Sequence, residues 1–299
     1  MLAFVYLCSV VIIDHSMIPT SFSLSSGGDQ ATAYEGLQLY RSRSNRAKQK
    51  KDIDGAIRIA AQGSKSLLAS GYDTAGHELA MVVLDLLEEN NRDLDPDLRI
   101  HIVEIDEAFA PSSPSRMAFL KACVKWSVAN GQRKLGDPLV HSRLALCMMD
   151  TNQTRLGMYH FAAGECPLLL VDKLFVPTYM DSKEGELERD RLFCLAVLYY
   201  LSLENLRDAH ELVQLYRKAL KGHGRKDYHS ELLSFSDYIT QTSRRDALPL
   251  FKKLCNAYSS VLEFDPVIPS LLTGPIGQRI FGLEPPKANM MDLLQGMFR

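Results

Sequence analysis

The feature that most constrains this chain is a long succession of amphipathic helical segments, each ended by a Pro or Gly turn. In the segment 73–89, apolar residues recur from Leu79 onward at the i, i+3, i+4, i+7 and i+8 spacing of one buried helix face. Further segments begin at Asp95-Pro96, Ser113-Pro114 and Asp137-Pro138, where a capping side chain precedes a proline in the first turn. No run of alternating apolar and polar residues indicates a strand. We therefore expect an all-α protein.

The predicted helices are short and closely spaced. Besides the three opened by those prolines, they cover 52–70, 73–89, 153–164, 166–180, 186–203, 205–221, 229–241, 246–258, 265–281 and 288–298. Such helices, joined by corners of a few residues, must pack antiparallel on their neighbours. Pairs of about 35–45 residues recur without a shared consensus, which favours a right-handed α-solenoid of degenerate, tetratricopeptide-like repeats.

The sequence pattern changes near residue 150. This change suggests two halves of the solenoid, 31–150 and 151–299, preceded by an atypical segment, 1–30. In that segment Leu2 to Ile13 are almost wholly apolar, but the run is shorter than the about 20 residues that cross a bilayer. No Lys or Arg precedes it, as one would in a secretion signal. A weak secretion signal, a short hydrophobic helix and a poorly determined N-terminus remain as interpretations, and we favour one without a signal. No other segment could span a membrane.

Composition excludes some functions. The formal net charge of -2 gives no support to a protein that coats nucleic acid. The six cysteines, scattered without a C-x-x-C pair, are typical of reduced core thiols in the cytosol and not of a disulfide framework or a zinc site.

Catalytic motifs are not found. His77-Glu78-Leu79-Ala80-Met81 departs from the H-E-x-x-H zinc motif because Met81 replaces the second imidazole. There is no phosphate-binding G-x-x-x-x-G-K-[ST] loop and no G-x-S-x-G nucleophile motif. We therefore predict no catalytic residue, no metal and no cofactor, and expect a protein that is not an enzyme.

Two features indicate interaction surfaces. Glu78 and Asp85 are seven residues apart, so both carboxylates project from one helix face, which is either a solvated side or an acidic docking ridge. Six of the eleven residues from Arg41 to Lys51 are basic. This run is either a solvated helix end or a site for an acidic protein, an anionic lipid surface or RNA, although the absence of interleaved aromatic residues weakens the RNA interpretation.

Several blocks, in order, resemble the Golgi-to-ER traffic protein 4 family, which is also called the 35-kilodalton subunit of the transmembrane recognition complex. The matching blocks are Tyr34 to Arg41, Ala75 to Leu87, Lys125-Trp126-Ser127 with Lys134 to His141, Val197 to Ala209, Asp246 to Tyr258, Ile276 to Pro286 and Met291 to Phe298. The resemblance covers about residue 33 to the end. It implies an all-helical solenoid without catalytic activity that acts as a cytosolic adaptor in the delivery of tail-anchored membrane proteins to the endoplasmic reticulum.

The resemblance also implies partners. The N-terminal half would dock the tail-anchored-protein targeting ATPase, and the C-terminal half would hold a ubiquitin-like-domain protein and, in animals, a BAG-domain chaperone. The acidic pair that faces the ATPase falls on Glu78 and Asp85, with Tyr34, Arg41 and Arg46 as further candidates on the neighbouring block. For the ubiquitin-like partner, the segment 221–241 is the best candidate. We expect its apolar groove to be formed by Tyr228, Leu232, Phe235 and Tyr238.

The chain departs from the family in three places. The segment 221–228 is short and basic where animal members carry a longer insertion. After Arg41 the family usually shows an apolar-aromatic run, where this chain has Ser42-Arg43-Ser44-Asn45-Arg46-Ala47. Residues 1–30 do not resemble the family. The alternative interpretations are a helical-repeat scaffold subunit of a proteasome- or signalosome-like assembly, and an enzyme with a helical fold.

Overall fold

The computed structural model describes residues 30–92, 95–130, 133–180, 185–226 and 228–284. Within these ranges it contains helices and turns but no strand. The predicted helix 288–298 and the atypical segment, apart from its last residue, lie outside the described residues.

The α-helices are, in chain order, α1 (Gln30–Gln49), α2 (Ile53–Ala69), α3 (Asp73–Glu89), α4 (Pro96–Ala108), α5 (Pro114–Asn130), α6 (Pro138–Asp150), α7 (Thr154–Ala163), α8 (Pro167–Leu170), α9 (Glu186–Ser202), α10 (Leu206–Gly222), α11 (Glu231–Arg244), α12 (Leu248–Ala257) and α13 (Val267–Leu271). Two wider π-helical segments, Val171–Met180 and Leu272–Ile280, and a 3₁₀ turn, Val261–Phe264, complete the described chain.

The predicted helix starts are confirmed where a side chain caps them. The Asp95 carboxylate accepts a hydrogen bond from the Leu98 N–H at 2.9 Å, and Asp137 accepts from the Leu139 N–H at 2.9 Å. The Ser113 hydroxyl oxygen accepts from the Ser115 N–H at 3.1 Å. Each bond satisfies a backbone donor that the first helical turn leaves without a partner, and the proline that follows has no donor to lose.

Two predicted helices are interrupted, and prolines mark both interruptions. The segment predicted as 166–180 is a single α-turn, α8, followed by the π-helical segment that contains Pro177. The segment predicted as 265–281 divides into α13 and a second π-helical segment, where Gly274 leaves helical geometry (φ -87°, ψ -111°) just before Pro275. A proline inside a helix cannot donate a backbone hydrogen bond and crowds the preceding turn, so the regular ladder breaks at both places.

Packing follows the pattern of a solenoid. The consecutive pairs α1–α2, α2–α3, α5–α6 and α6–α7 pack on one another. Helices two positions apart are also in contact, in the pairs α1–α3, α2–α4, α3–α5 and α4–α6. This alternation is what a stack of antiparallel helix pairs produces. The all-α solenoid prediction is therefore confirmed.

Two apolar clusters form most of the core, and α6 contributes to both. Val140, Leu144 and Met148 join the cluster built by α2 to α5, while Ala145 joins the cluster around α9. The run from Leu192 to Leu198 in α9 is at most 5% exposed, because α7, α10, α11 and α13 surround this helix. The division into halves near residue 150 stays a prediction.

The first helix pair packs through small and polar residues. Tyr40 of α1 lies over Gly63 of α2, where an added Cβ would stand 2.4 Å from the tyrosine Cγ. Ser44 is buried, and its hydroxyl donates to the Ala56 carbonyl at 2.9 Å. Glycine at 63 thus permits the close approach of Tyr40 to α2.

The described cysteines are all free thiols. Cys123, Cys147 and Cys194 are buried, and burial raises the pKa of the Cys194 thiol to about 12. A thiol in this environment stays protonated and behaves as a small apolar side chain. No described helix has both the length and the apolar character that crossing a bilayer requires.

Candidate protein-docking surfaces

The first candidate surface lies where α1 and α3 run side by side, and we call it the α1–α3 surface. It is formed by Tyr34, Arg41 and Lys48 on α1 and by Glu78, Asp85 and Glu89 on α3. On α1 the three residues are spaced by seven. On α3 Glu78 and Asp85 are seven apart and Glu89 lies one turn beyond Asp85, so each set shares one helix face. Arg41 pairs with Glu78 and Lys48 pairs with Glu89, so positions rise together along both helices and the two helices are parallel.

Of the two predicted docking carboxylates, Glu78 is paired with a cation and Asp85 is not. The Arg41 Nη1 atom lies 2.6 Å from the Glu78 Oε1 atom, and both side chains are nearly half exposed. Asp85 is exposed and forms no ion pair with any described residue. An incoming basic group would therefore compete with Arg41 for Glu78, whereas it would meet Asp85 as a free charge.

The other N-terminal candidates do not all share this surface. Tyr34 is 62% exposed and lies seven residues before Arg41, on the same face of α1. Arg46 lies about 140° around the helix from Arg41. With Gln38, Ser42, Asn45 and Gln49, these two arginines line an open groove of about 470 Å³ along the outer side of α1. Arg41 thus borders both surfaces, and Arg46 borders only the outer one.

The four C-terminal candidates do not form one apolar groove, and that expectation is wrong. Leu232 is 4% exposed and Phe235 is 0% exposed, because both lie on the stripe of α11 that packs into the core around α9. Tyr238 is 51% exposed and lies off that stripe. Whether any of these residues contacts a partner stays a prediction.

Tyr228 belongs to a buried polar network. Its hydroxyl donates to the Asp190 Oδ2 atom at 2.6 Å, and the Tyr216 hydroxyl donates to Oδ1 at 2.9 Å. The Arg189 guanidinium, fully buried, donates from Nε to the same carboxylate and lies 4.4 Å from the centre of the Tyr228 ring. Burial, together with the bond to Asp190, raises the pKa of Tyr228 to about 12.

The network joins three elements, because Asp190 is in α9, Tyr216 is in α10 and Tyr228 precedes α11. Its role is to hold the starts of α9 and α11 together. Sequence reasoning missed it, although Arg189 and Asp190 stand one residue before the most apolar run of the chain, and charged residues in such a place indicate a buried ion pair.

The exposed parts of the C-terminal candidates open onto two different cavities. Tyr228 and Leu232 border a cavity of about 610 Å³ that Glu186 and Arg191 at the start of α9 also line. Tyr238 borders a groove of about 410 Å³ between α11 and α12. Helical spacing can separate Tyr238 from the apolar stripe of α11, but it cannot place α12 beside Tyr238, since the position of α12 relative to α11 is set by tertiary packing.

A histidine pair links α6 and α7. The Nδ1 atoms of His141 and His160 are 2.8 Å apart, and His141 Nε2 lies 2.7 Å from the Leu135 carbonyl oxygen. Because a carbonyl only accepts, His141 donates from Nε2 and accepts at Nδ1, so His160 donates from its own Nδ1. Burial, aided by the neighbouring His141, lowers the pKa of His160 to about 4, and burial also lowers the pKa of His141. Both rings are therefore uncharged near neutral pH.

A buried carboxylate organises the N-terminal half in a similar way. Asp106 of α4 is fully buried and accepts hydrogen bonds from Arg116 of α5, at 2.7 Å, and from Arg143 of α6. Arg116 also donates to Asp150 at 2.7 Å. These hydrogen bonds link α4, α5 and α6. Within the described ranges, no three His, Cys, Asp or Glu side chains are close enough to hold a metal ion.

The fold and these surfaces define the class of protein as a helical-repeat solenoid with a charged face on α1 and α3 and an open groove between α11 and α12. The sequence pattern of the family described as Golgi to ER traffic protein 4 matches residues 50–298. This chain belongs to that family, whose name places it in Golgi to ER traffic.

Individual proteins of the same family are similar to this chain over most of its length. The Golgi to ER traffic protein 4 homolog of Homo sapiens is 27% identical over 278 residues, which cover 91% of this chain and 83% of the relative. Protein GET4 of Arabidopsis thaliana is 27% identical over 302 residues, which cover 90% of each chain. The crystal structure of C. therm. Get4 superposes with a TM-score of 0.74 at 23% identity and 91% coverage of both chains, and it shows the shared fold.

Proposed function

We propose that this protein is a non-catalytic cytosolic adaptor in the targeting of tail-anchored membrane proteins to the endoplasmic reticulum. Its N-terminal half docks the targeting ATPase, and its C-terminal half holds a ubiquitin-like-domain protein and, in animals, a BAG-domain chaperone. The observation that carries the proposal is the family match over residues 50–298. The same match favours this function over a subunit of a proteasome- or signalosome-like assembly.

The proposed mechanism is positional. A solenoid that holds two proteins on different surfaces turns the meeting of their cargo and ATPase into an event within one complex, which raises the effective concentration of the substrate. This needs no bond-making by the adaptor. It does need two separate surfaces on a stiff frame, and the packed cores on either side of α6 support such a frame.

The α1–α3 surface supports the ATPase site through its charges. Asp85 is an exposed carboxylate without an ion partner among the described residues, and Glu78 lies on the same face beside Arg41. Exposed charges at the rim of an interface mainly control association rate and specificity. We therefore expect a basic ATPase surface, and binding that weakens as ionic strength rises.

The test is a double charge reversal. Glu78→Arg with Asp85→Arg should abolish binding of the purified targeting ATPase while the fold and the binding of the ubiquitin-like protein are retained. Among the single variants, Asp85→Asn should weaken binding more than Glu78→Gln, because Arg41 already neutralises Glu78. Titration calorimetry at two salt concentrations measures both effects.

The matched control is Glu211→Arg, which reverses an exposed carboxylate on α10 in the other half of the chain. It should leave ATPase binding unchanged. ATPase affinity that is the same in the double variant and the wild type would remove the α1–α3 surface from the proposal.

A further inference from the structure

The end of α1 carries a row of positive charges on the side of the helix turned away from the α1–α3 surface. Arg43 and Arg46 are three residues apart, and Lys50 lies one turn beyond Arg46, whose carbonyl accepts its N–H at 3.2 Å. At 100° per residue these three side chains share one face, between about 140° and 200° around the helix from Arg41. Lys51 follows directly. We call Arg43, Arg46, Lys50 and Lys51 the basic ridge.

The charges of the basic ridge are not compensated. Its four side chains are exposed, and none of them forms an ion pair with any described residue. The other two cations of the run, Arg41 and Lys48, each pair with a glutamate of α3. Two acidic residues are near in sequence, but Glu35 lies two turns before the ridge and Asp52 accepts the N–H of Gly55 as the cap of α2. The ridge is therefore a local positive surface on a chain whose formal net charge is -2.

The second helix extends this positive surface. The Ser44 hydroxyl of α1 donates to the Ala56 carbonyl of α2 at 2.9 Å. Because the two helices are antiparallel, Arg58 of α2 therefore stands level with the turn of α1 that holds Arg43. Arg58 is exposed and forms no ion pair with any described residue, whereas Asp54 of the same helix is already paired with an arginine that follows α3.

The composition of this side of α1 favours a charged lipid surface over a protein or RNA. Beside the ridge, the outer groove of α1 is lined in its described part by polar and cationic side chains and by no apolar one. A protein interface usually depends on buried aromatic or apolar anchors, and single-stranded RNA binds through aromatic residues among the cations. A membrane with anionic headgroups requires neither, because it attracts each Lys or Arg near its surface separately.

The position of the ridge in the stack allows such a contact. α1 is the first described helix and packs on α2 and α3, so its outer side is exposed at the end of the solenoid. A flat surface can approach this side without displacing another described element. The α1–α3 surface lies on the other side of α1 and stays free to bind a protein at the same time.

We propose that the basic ridge is a peripheral contact site for a membrane that contains anionic phospholipids. The lipid headgroups neutralise Arg43, Arg46, Lys50 and Lys51, and Arg58 adds to the attraction. The contact is electrostatic and inserts no helix into the bilayer. The inference goes beyond the proposed function, since its ligand is a membrane surface and not a protein.

The experiment uses the full chain and two kinds of vesicle. One contains phosphatidylcholine alone, and the other contains phosphatidylcholine with about 30% phosphatidylserine. Co-sedimentation at low and high salt measures the affinity of the wild type and of a triple variant, Arg43→Gln with Lys50→Gln and Lys51→Gln. Arg46 stays unchanged in this variant because it is also a candidate for the ATPase site.

The matched control is a second triple variant, Lys121→Gln with Lys125→Gln and Lys134→Gln. These lysines are exposed and form no ion pair with any described residue, and they lie on α5 and the corner after it, outside every surface proposed above. Both triple variants change the net charge of the chain by the same amount. Circular dichroism checks that both remain folded.

We expect the wild type to bind the vesicles with phosphatidylserine and not those without it, and to bind more weakly in high salt. Each cation at an anionic surface strengthens binding by about fivefold, so the ridge variant should bind about 100-fold more weakly. The control variant should bind like the wild type. If the ridge variant were unfolded, Arg43→Gln and Lys50→Gln as single variants should each show about a fivefold loss.

Four results would overturn the inference. The wild type could fail to bind the anionic vesicles, including the case in which it binds only polyuridylate or polyglutamate. It could bind both kinds of vesicle equally, as attachment through an apolar sequence such as Leu2 to Ile13 would produce. The two triple variants could lose the same affinity, which would make net charge the cause. Single or triple ridge variants that remain folded could bind as tightly as the wild type.

The proposed function is tested separately with the same proteins. The ridge variant keeps Glu78, Asp85, Arg41 and Arg46 and should therefore bind the purified targeting ATPase like the wild type. Loss of ATPase binding in this variant would assign the ridge to the ATPase site and overturn the membrane inference. If the wild type binds anionic vesicles through the ridge but does not bind the ATPase, the proposed function is wrong and the inference stands.

Discussion

The α1–α3 surface and the region around the start of α9 both carry paired charges, but the pairs differ in what surrounds them. Arg41 and Glu78 are each nearly half exposed, whereas Arg189 and Asp190 are almost completely buried. An exposed pair contributes little to stability and can exchange its partner, while a buried pair cannot lose one member without leaving a desolvated charge behind. The first region can therefore serve recognition, and the second serves the fold.

The largest difference between a buried and an exposed side chain is expected at two aromatic residues of α11, Phe235 and Tyr238, which the sequence analysis placed in one groove. Phe235→Ala should reduce the free energy of unfolding by about 3–5 kcal/mol, because it leaves a cavity in the core. Tyr238→Ala should change it by no more than about 0.5 kcal/mol, because that side chain is half exposed. Urea unfolding measures both. Equal losses would show that the two side chains do not differ in burial.

The buried charge pair should give the next largest effect. Asp190→Asn keeps the shape of the side chain but leaves the Arg189 guanidinium without its counter-charge, so we expect a loss of about 3 kcal/mol. Asp237→Asn, which removes a partly exposed partner of Arg217, is the control and should cost less than about 1 kcal/mol. If Asp190→Asn left the free energy of unfolding unchanged, Arg189 would be held by the tyrosine rings alone.

The histidine pair at α6 and α7 should make stability depend on pH. Well above pH 6.5, roughly the ordinary pKa of an imidazole, both rings are neutral in the folded and the unfolded states. As the pH falls from about 6.5 toward 4, the unfolded chain takes up protons that folded His160 does not, so stability is lost over that range. His160→Asn retains a donor near His141 without titrating. The unfolding midpoint of this variant should fall less between pH 7 and pH 5 than that of the wild type.

The smallest effect is expected at the exposed pair. A double-mutant cycle with Arg41→Ala and Glu78→Ala should give a coupling energy of about 0.5 kcal/mol, which should shrink in high salt. A coupling as large as that of the buried pair would contradict the assignment of this surface to recognition. It would imply that Arg41 and Glu78 fasten α1 to α3.

Much of the fold was predictable because local physics decides it. The capping side chains before Pro96, Pro114 and Pro138 open helices wherever they stand in the chain, and the apolar spacing in α3 orients that helix. In α11 the stripe through Leu232, Phe235 and Ile239 was also readable, and it indicated that Tyr238 lies on another face. The error at the C-terminal candidates came from combining two faces of one helix.

Local sequence is enough to predict a succession of helices, the start of most of them, and the resemblance to the Golgi to ER traffic protein 4 family. Capping, periodicity and block order are properties of short stretches of chain. Tertiary structure alone decided that Arg41 neutralises Glu78 across 37 positions, that Tyr228 is anchored to Asp190, and that α13 returns to α9. These contacts join residues far apart in the chain, and their geometry depends on how whole helices pack.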